Sequence, residues 1–350
     1  FATISSKADQ VDNGAEDGSL RFKTLINGSL DERFVIGSDG SLSTPTLGTS
    51  NVRFGVNAGN SIASGGSFNV VVGDEAGTAL TTGNRNVALG KDALLTDTLG
   101  NRATAVGVGA LQTQNFTTST DNYNTAVGFI AGQSITTGFQ NTLIGGLAGD
   151  ALTDSDKNVA VGYAALTAET LGQFNTAIGR SALQAQNNTT ATDVYNVAVG
   201  YNAGASVTTG TRNTIVGGLA GDAITTGDQN TVFGALALSE ETTGEYSVAV
   251  GYQALAVQNS TTGASMYNTA LGYKSGFSVT TGKNNTLVGG LAGDALTDAD
   301  NNVAVGLQAL TTDTLGSRTI AIGQGALENQ NFTTATNTYN VAVGHAAGGS

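Results

Sequence analysis

Carboxylates are the commonest groups in this chain that could do chemistry, with 27 Asp and Glu against 14 Lys and Arg. Glu240 and Glu241 are adjacent, and a carboxylate pair can hydrolyse a glycosidic bond, one as acid and the other as base or nucleophile. Nothing equivalent to that pair recurs. Asp154, Asp156 and Asn158 alternate, as do Asp298, Asp300 and Asn302, an oxygen-rich spacing of the kind calcium accepts. The corresponding middle stretch, Thr226-Gly227-Asp228-Gln229-Asn230, has one acid, so the pattern reads as solvated turns. His345 is the sole histidine and there is no cysteine. That removes His-pair metal sites, thiolate zinc and iron–sulfur centres, disulfides and a thiol nucleophile. Gly145-Gly146-Leu147-Ala148-Gly149 lacks the Lys-Ser/Thr ending of a phosphate loop. No catalytic, cofactor-binding or metal-binding residue is expected, and the chain does not read as an enzyme.

The composition narrows the class further. The net charge of −13 repels a phosphate backbone, which argues against nucleic acid as a partner. No apolar run reaches the roughly 18 residues a membrane helix needs. Among 350 residues there are 50 glycines and one proline, Pro45, with no Gly-X-Y period, so collagen is excluded. Charged residues are 12% of the chain, half the usual share of about 25%. Hydrophobic residues at 39%, regularly spaced, argue against disorder. The chain opens at Phe1 without a signal-peptide pattern and stops at Gly349-Ser350, within a repeat, so a fragment or processed product is expected.

What must position any functional group is a repeat. One unit recurs 17 times: Asn, Val or Thr, a small apolar residue, Val/Ile/Leu, Gly, two variable residues, Ala, then Gly or Leu. Asn158-Val159-Ala160-Val161-Gly162-Tyr163-Ala164-Ala165-Leu166 is a clean copy. The unit glycines, from Gly55 to Gly344, are mostly 17 residues apart, and every fourth link is 21. A super-repeat of 72 residues therefore lies over the 17-residue unit. Gly-Gly-Leu-Ala-Gly-Asp-Ala marks its second copy, at 145–151, 217–223 and 289–295, and the longer link carries Gln-Asn and then Tyr.

A period of 17 suits one coil of a β-solenoid and is too short for helix pairs. The expected fold is all-β, a parallel β-roll of 17 coils over residues 51–350, preceded by a β-meander over residues 1–50 with turns at Asn27-Gly28 and Asp39-Gly40. Each coil is expected to hold two short strands, with Thr-Thr-Gly turns in which Gly takes positive φ. Coils stacking at about 4.8 Å predict a rod of roughly 75–80 Å. Asparagine opens 14 of the 17 units, the exceptions being Ala103, Ser247 and Thr319. The regular part of that column is Asn124, Asn141, Asn158, Asn175, Asn196, Asn213, Asn230, Asn268, Asn285, Asn302 and Asn340, read as a structural ladder of stacked amides. In Asn158–Gly162, Val159 and Val161 share one face and Ala160 takes the other. Both faces are apolar, so one should close on the coil interior and the other on a further copy, with a homotrimer the simplest closed packing.

At Ser247-Val248-Ala249-Val250-Gly251 and Thr319-Ile320-Ala321-Ile322-Gly323 the unit resembles the head repeat of trimeric autotransporter adhesins, Asn-Ser-Val-Ala-Ile-Gly followed by two variable residues and a small one. The resemblance covers residues 51–348 and implies a trimeric left-handed parallel β-roll. Here the coil is longer and Asn sits one place closer to the Gly. The stretches Asp17–Thr24, Glu32–Ile36 and Ser38–Gly40 are similar to a segment common in bacteriophage tail fibres. Together these imply a structural or adhesive fibre on a virion tail appendage or extracellular surface. Its partners would be itself, other fibre or virion proteins and a host surface glycan, with no membrane insertion. A bacterial surface adhesin head is the second reading; a tailspike hydrolase and an ice-binding solenoid are further rivals. The longer links at 112–123, 184–195, 256–267 and 328–339 are rich in Thr and Asn and suit glycan hydroxyls. They place Asn115, Thr117, Asn187, Thr189, Thr190, Asn259, Thr261, Asn331 and Thr333 as candidate receptor contacts. The Phe129, Tyr201, Tyr273 and His345 column reads as packing or as an aromatic strip for sugars.

Overall fold

A computed structural model describes residues 2–12, 15–26, 29–36, 42–43 and 48–349. The turns expected at Asn27-Gly28 and Asp39-Gly40 lie outside the described residues. The chain forms two compact units, Phe1–Gln140 and Asn141–Ser350. The first opens with an antiparallel meander of β1 (Ala2–Asp12), β2 (Ala15–Ile26), β3 (Ser29–Ile36) and β4 (Leu42–Ser43), paired in sequence order. Phe22 pairs with Phe34 across it, ring centroids 5.8 Å apart, and Arg21 bonds Glu32 at 2.6 Å.

From residue 51 the fold becomes a parallel β-solenoid. Its 17 three-residue strands run from Val52–Phe54 to Val341–Val343, five in the first unit and twelve in the second, and no helix occurs among the described residues. Within each unit every strand pairs in register with the equivalent strand of the next coil, so that Val159, Ala160 and Val161 meet Thr176, Ala177 and Ile178. Val and Thr at the flanking positions favour this extended backbone. The register is uniform because each coil repeats the same residue types at the same distance from its glycine.

The expected second strand of each coil is not there. After Gly162 the backbone enters the left-handed region at Ala164 (φ 54) and again at Leu166 (φ 55), which an extended strand cannot accommodate. A second pairing appears only where the 21-residue link supplies it: Gly100–Asn101 with Thr120–Asp121, Gly172–Gln173 with Thr192–Asp193, and Gly316–Ser317 with Thr336–Asn337. In the third super-repeat it shrinks to a single bridge, Glu245 with Ser265, where Gly263 (φ 64) interrupts the link.

The glycines serve close approach as much as turning. A Cβ on Gly162 (φ +137) would lie 2.5 Å from the carbonyl oxygen of Gly179 in the next coil. Gly210 and Gly282 of the Thr-Thr-Gly turns do not take positive φ, contrary to the sequence-based expectation, although Gly263 after Thr261-Thr262 does (φ 64). Gly210 and Gly282 are instead required because a Cβ would sit 2.5 Å from the Gly227 oxygen and 2.4 Å from the Ala299 oxygen.

The coil interior explains the super-repeat as a trade of volume. In the second coil Leu143 and Leu152 fill the centre, and a Cβ on Gly149 would come within 2.8 Å of both. In the third coil the strand centre is Ala160 and Leu166 occupies the slot that Gly149 held. A slender interior packed to normal protein density couples the two slots. In the second unit only Val232 with Leu238 sets a branched strand centre beside a Leu, and first coils hold two small residues, Ala198 with Gly204, where a Cβ on Gly204 would come within 3.1 Å of Leu183 and Ile215 of the adjoining coils.

Candidate functional site

The asparagine column is built from backbone as well as side chains. Asn213 Nδ2 donates to the Gly227 carbonyl at 2.8 Å, 14 residues on, and Asn213 Oδ1 accepts from the Asn230 amide at 2.9 Å, one coil on. The same pair of bonds recurs at Asn69, Asn86, Asn230 and Asn285, and all of these side chains are buried. The exceptions Ala103, Ser247 and Thr319 all open fourth coils. There the residue 14 places on lies in the bulging longer link, so the acceptor carbonyl is missing. Asn175, the fourth-coil position that keeps asparagine, has a buried Nδ2 without a partner. Asn340, in the last coil, is exposed and its Nδ2 donates to Gln330.

Each longer link is rooted on a buried carboxylate, a role that the sequence does not reveal, Glu241 standing out there only as half of an adjacent pair. Seven residues after the glycine, first and second coils carry an aliphatic residue such as Leu152 or Ile224; third coils carry Asp97, Glu169, Glu241 or Asp313, and fourth coils Gln114, Gln186, Gln258 or Gln330. The four acids are buried. Glu241 Oε1 accepts the amides of Thr242, Thr243, Gly244 and Ser260 at 2.7–3.1 Å, and Oε2 accepts Gln258 Nε2 at 2.8 Å. Glu169 does the same with Thr170, Leu171, Gly172, Asn188 and Gln186. Asp97 takes Gly100, Phe116 and Gln114; Asp313 takes Gly316, Phe332 and Gln330. Each Gln passes its oxygen to the asparagine column, at Asn124, Asn196, Asn268 and Asn340. A dense set of amide donors is what lets an anion sit in the interior without a cation. Burial still pushes the Asp97 carboxyl above the usual aspartate range, against the bonds from Gln114, Phe116 and Gly100. Asking what occupies one slot of the repeat across all coils would have exposed this set.

The adjacent acids Glu240 and Glu241 are therefore split: Glu240 is exposed and Glu241 is buried on backbone amides, so they do not face a common substrate. Among the described residues no cluster of three His, Cys, Asp or Glu could hold a metal ion, and no helix is long and apolar enough to cross a membrane. Asp298 and Asp300 accept from Thr281 and from the Lys283 amide of the preceding coil.

The candidate receptor contacts lie at the surface of the links, in two chemical states. Asn115, Asn187, Asn259 and Asn331 each turn their Oδ1 to a threonine of the preceding coil, at Thr98, Thr170, Thr242 and Thr314. Thr117, Thr189, Thr190, Thr261 and Thr333 are exposed. A cavity of about 100 Å³ lies under the third link, lined by Ser260, Thr261, Thr262, Ala264, Met266, Thr281 and Lys283.

The largest continuous feature is the outer face of the strands. In all twelve strands of the second unit the central residue is buried and both flanking residues are half-buried or exposed. The position before the glycine is Val, Ile, Leu or Phe in every one, from Ile144 to Val343. Phe233 is 57% exposed and Leu271 48%. Two columns that carry large side chains at most coils border this face, the second interrupted by Gly146, Gly218, Ala235 and Gly290. One directly precedes the asparagine, where Phe174 and Tyr195 stack at 5.0 Å and Tyr246 and Tyr267 at 5.1 Å. The other directly follows the glycine, where Arg180 lies between Tyr163 and Tyr201 at 5.9 and 5.7 Å and Tyr252 stacks on Tyr273 at 5.8 Å. Stacking along the solenoid axis covers ring faces and leaves ring edges outward. The Tyr201 and Tyr273 column thus joins the border of the apolar face.

No family model, no curated protein and no solved structure matches the chain.

Proposed function

We propose that the chain is a structural and adhesive fibre segment, three copies of which associate through the outer strand face. In this reading it is the shaft or receptor-binding part of a bacteriophage tail fibre, spacing or presenting surfaces that meet a host glycan. The observation that carries it is the unbroken apolar column from Ile144 to Val343, with Tyr and Arg along its borders. Contiguous apolar surface of this extent marks an interaction site, and a core of apolar residues ringed by Tyr and Arg is the composition of protein interfaces. The partner must keep register over twelve coils. Another copy of the chain has the same rise per coil and meets that requirement without further design.

The fibre reading is tested in two steps. The purified chain should run on an unboiled SDS gel as a species heavier than one chain and appear as rods by negative-stain microscopy. Antibodies raised against it should then decorate tail appendages of virions; decoration of bacterial surfaces instead would favour the adhesin head, the reading that the Ser247–Gly251 repeat also suits. Labelling confined to the cell interior would overturn both.

A further inference from the structure

We propose that the two border columns of the outer face meet each other between neighbouring copies, in parallel and at the same coil height. This rests on the homomeric reading above and specifies its geometry. The column before the asparagine is held in left-handed backbone at every coil of the second unit, as at Lys157 (φ 57), Phe174 (φ 61), Tyr195 (φ 55) and Arg212 (φ 57). That conformation is disfavoured for a residue with a side chain, because its Cβ crowds the following carbonyl oxygen. Glycine would relieve it, yet none of the eleven positions from Lys157 to Tyr339 is glycine. The side chains are retained against a conformational cost.

The second observation is a correlation within coils. Tyr195 shares its coil with Tyr201, Tyr246 with Tyr252, and Tyr267 with Tyr273. Phe174 shares its coil with Arg180, Lys157 with Tyr163, and the long Arg212 with Gly218, whose missing Cβ would meet nothing within 4 Å. Every ring of either border in the second unit thus shares its coil with a ring or a cation, Tyr339 with His345 included, while Gln229, Asn284, Asn301 and Arg318 share theirs with Ala235, Gly290, Leu307 and Gln324. Contacts within the chain do not account for this, because the ring stacking of both columns runs along the axis and the strand, Val197–Val199 in the coil of Tyr195 and Tyr201, lies between them.

Symmetry does account for it. A rotation about an axis parallel to the solenoid preserves height and turns the first border of one copy toward the second border of the next. Each ring then finds its counterpart in the neighbour. In the first unit the pairing of Arg85 with Lys91 sets two cations together, and Lys91 carries its own carboxylates, Asp92 at 3.2 Å and Asp74 at 3.5 Å.

The absence of cysteine gives a clean test. A double variant Tyr195→Cys/Tyr201→Cys is treated with a mild oxidant and, separately, with a short bifunctional maleimide. The expected product is a covalent species at the mass of the whole assembly on a non-reducing gel. Each single variant alone should stay at one chain mass, and the two singles co-expressed should cross-link. Tyr267→Cys/Tyr273→Cys serves as an independent pair if the first fails to fold. Cross-linking of Tyr195→Cys with itself, or no cross-link from either pair in a sample that light scattering shows to be oligomeric, would overturn the border pairing and leave the homomeric reading standing. A single-chain mass by light scattering would overturn both.

Discussion

Replacing Glu241 with Gln isolates the buried carboxylate that roots the third longer link. The new amide keeps one oxygen for the amides of Thr242, Thr243, Gly244 and Ser260, but it places an NH2 group 2.8 Å from Gln258 Nε2, donor against donor. Turning Gln258 over does not help. Its NH2 would then face Asn268 Nδ2 at 2.8 Å, and Asn268 is fixed by its bonds to Gly282 and Asn285. One buried donor stays unpaired wherever the conflict is moved, which costs about 1–3 kcal/mol. Bonds to a charged acceptor also exceed neutral ones by about 1 kcal/mol, partly offset because a neutral group is cheaper to bury. The expected loss is about 2–4 kcal/mol. The reciprocal double variant Glu241→Gln/Gln258→Glu should recover most of it. The amide introduced at position 241 then donates to the carboxylate introduced at position 258. The other oxygen of that carboxylate accepts Asn268, and the Ser247 hydroxyl rotates to donate where it now accepts. Unfolding of a repeat array is not two-state, so the assay is amide hydrogen exchange at Thr242, Thr243 and Gly244. The single variant should speed exchange by about 30- to 700-fold at these amides, on a scale of 1.4 kcal/mol per tenfold. Exchange within threefold of the parent, or a double variant no slower than the single, would refute the assignment.

Other outcomes follow from the same geometry. Asn175→Ser removes a buried nitrogen without a partner and should leave amide exchange in the adjoining coils unchanged or slowed, whereas Asn213→Ser breaks two bonds of the column, worth about 1–3 kcal/mol, and should speed exchange at the Asn230 amide. Burial raises the Asp97 carboxyl, so the folded chain holds that proton more tightly than the unfolded one. Stability contributed there falls as pH rises from about 3.9, the ordinary value, through the raised one. Asp97→Asn should flatten that fall in urea unfolding curves recorded from about pH 3 to 6; an unchanged slope would contradict the sign. Val161→Asp places a charge on the outer face and not in the coil interior, so circular dichroism should be preserved while the mass in solution drops.

Much of this fold is legible in the repeat. Glycine at fixed spacing, Val-Ala-Val at the strand and Asn ahead of it specify a solenoid and its register; both strand faces are apolar, so which one turns inward is decided by the structure, at the central residue. The return path is not legible because Ala164, Leu166 and Lys157 adopt left-handed backbone although glycine is the residue that suits it; coil closure overrides local preference there. Gly210 and Gly282 of the Thr-Thr-Gly turns mislead for the opposite reason, since a neighbouring carbonyl dictates them and φ does not. Glu169 stays hidden, and Glu241 is noticed only beside Glu240, because nothing in the sequence shows the amides that converge on them and make a buried charge tolerable. The exposed threonines of the links can be found from composition, while the stacked borders emerge only when the coils are laid one on another.

The most direct test of the central claim, that copies of the chain cover the outer strand face, is the mass in solution by light scattering after size exclusion. The account predicts a single species of three chains, each of 34.9 kDa, that the Val161→Asp variant fails to form. A stable, monodisperse species of one chain mass, with the apolar column from Ile144 to Val343 left in water, would contradict it.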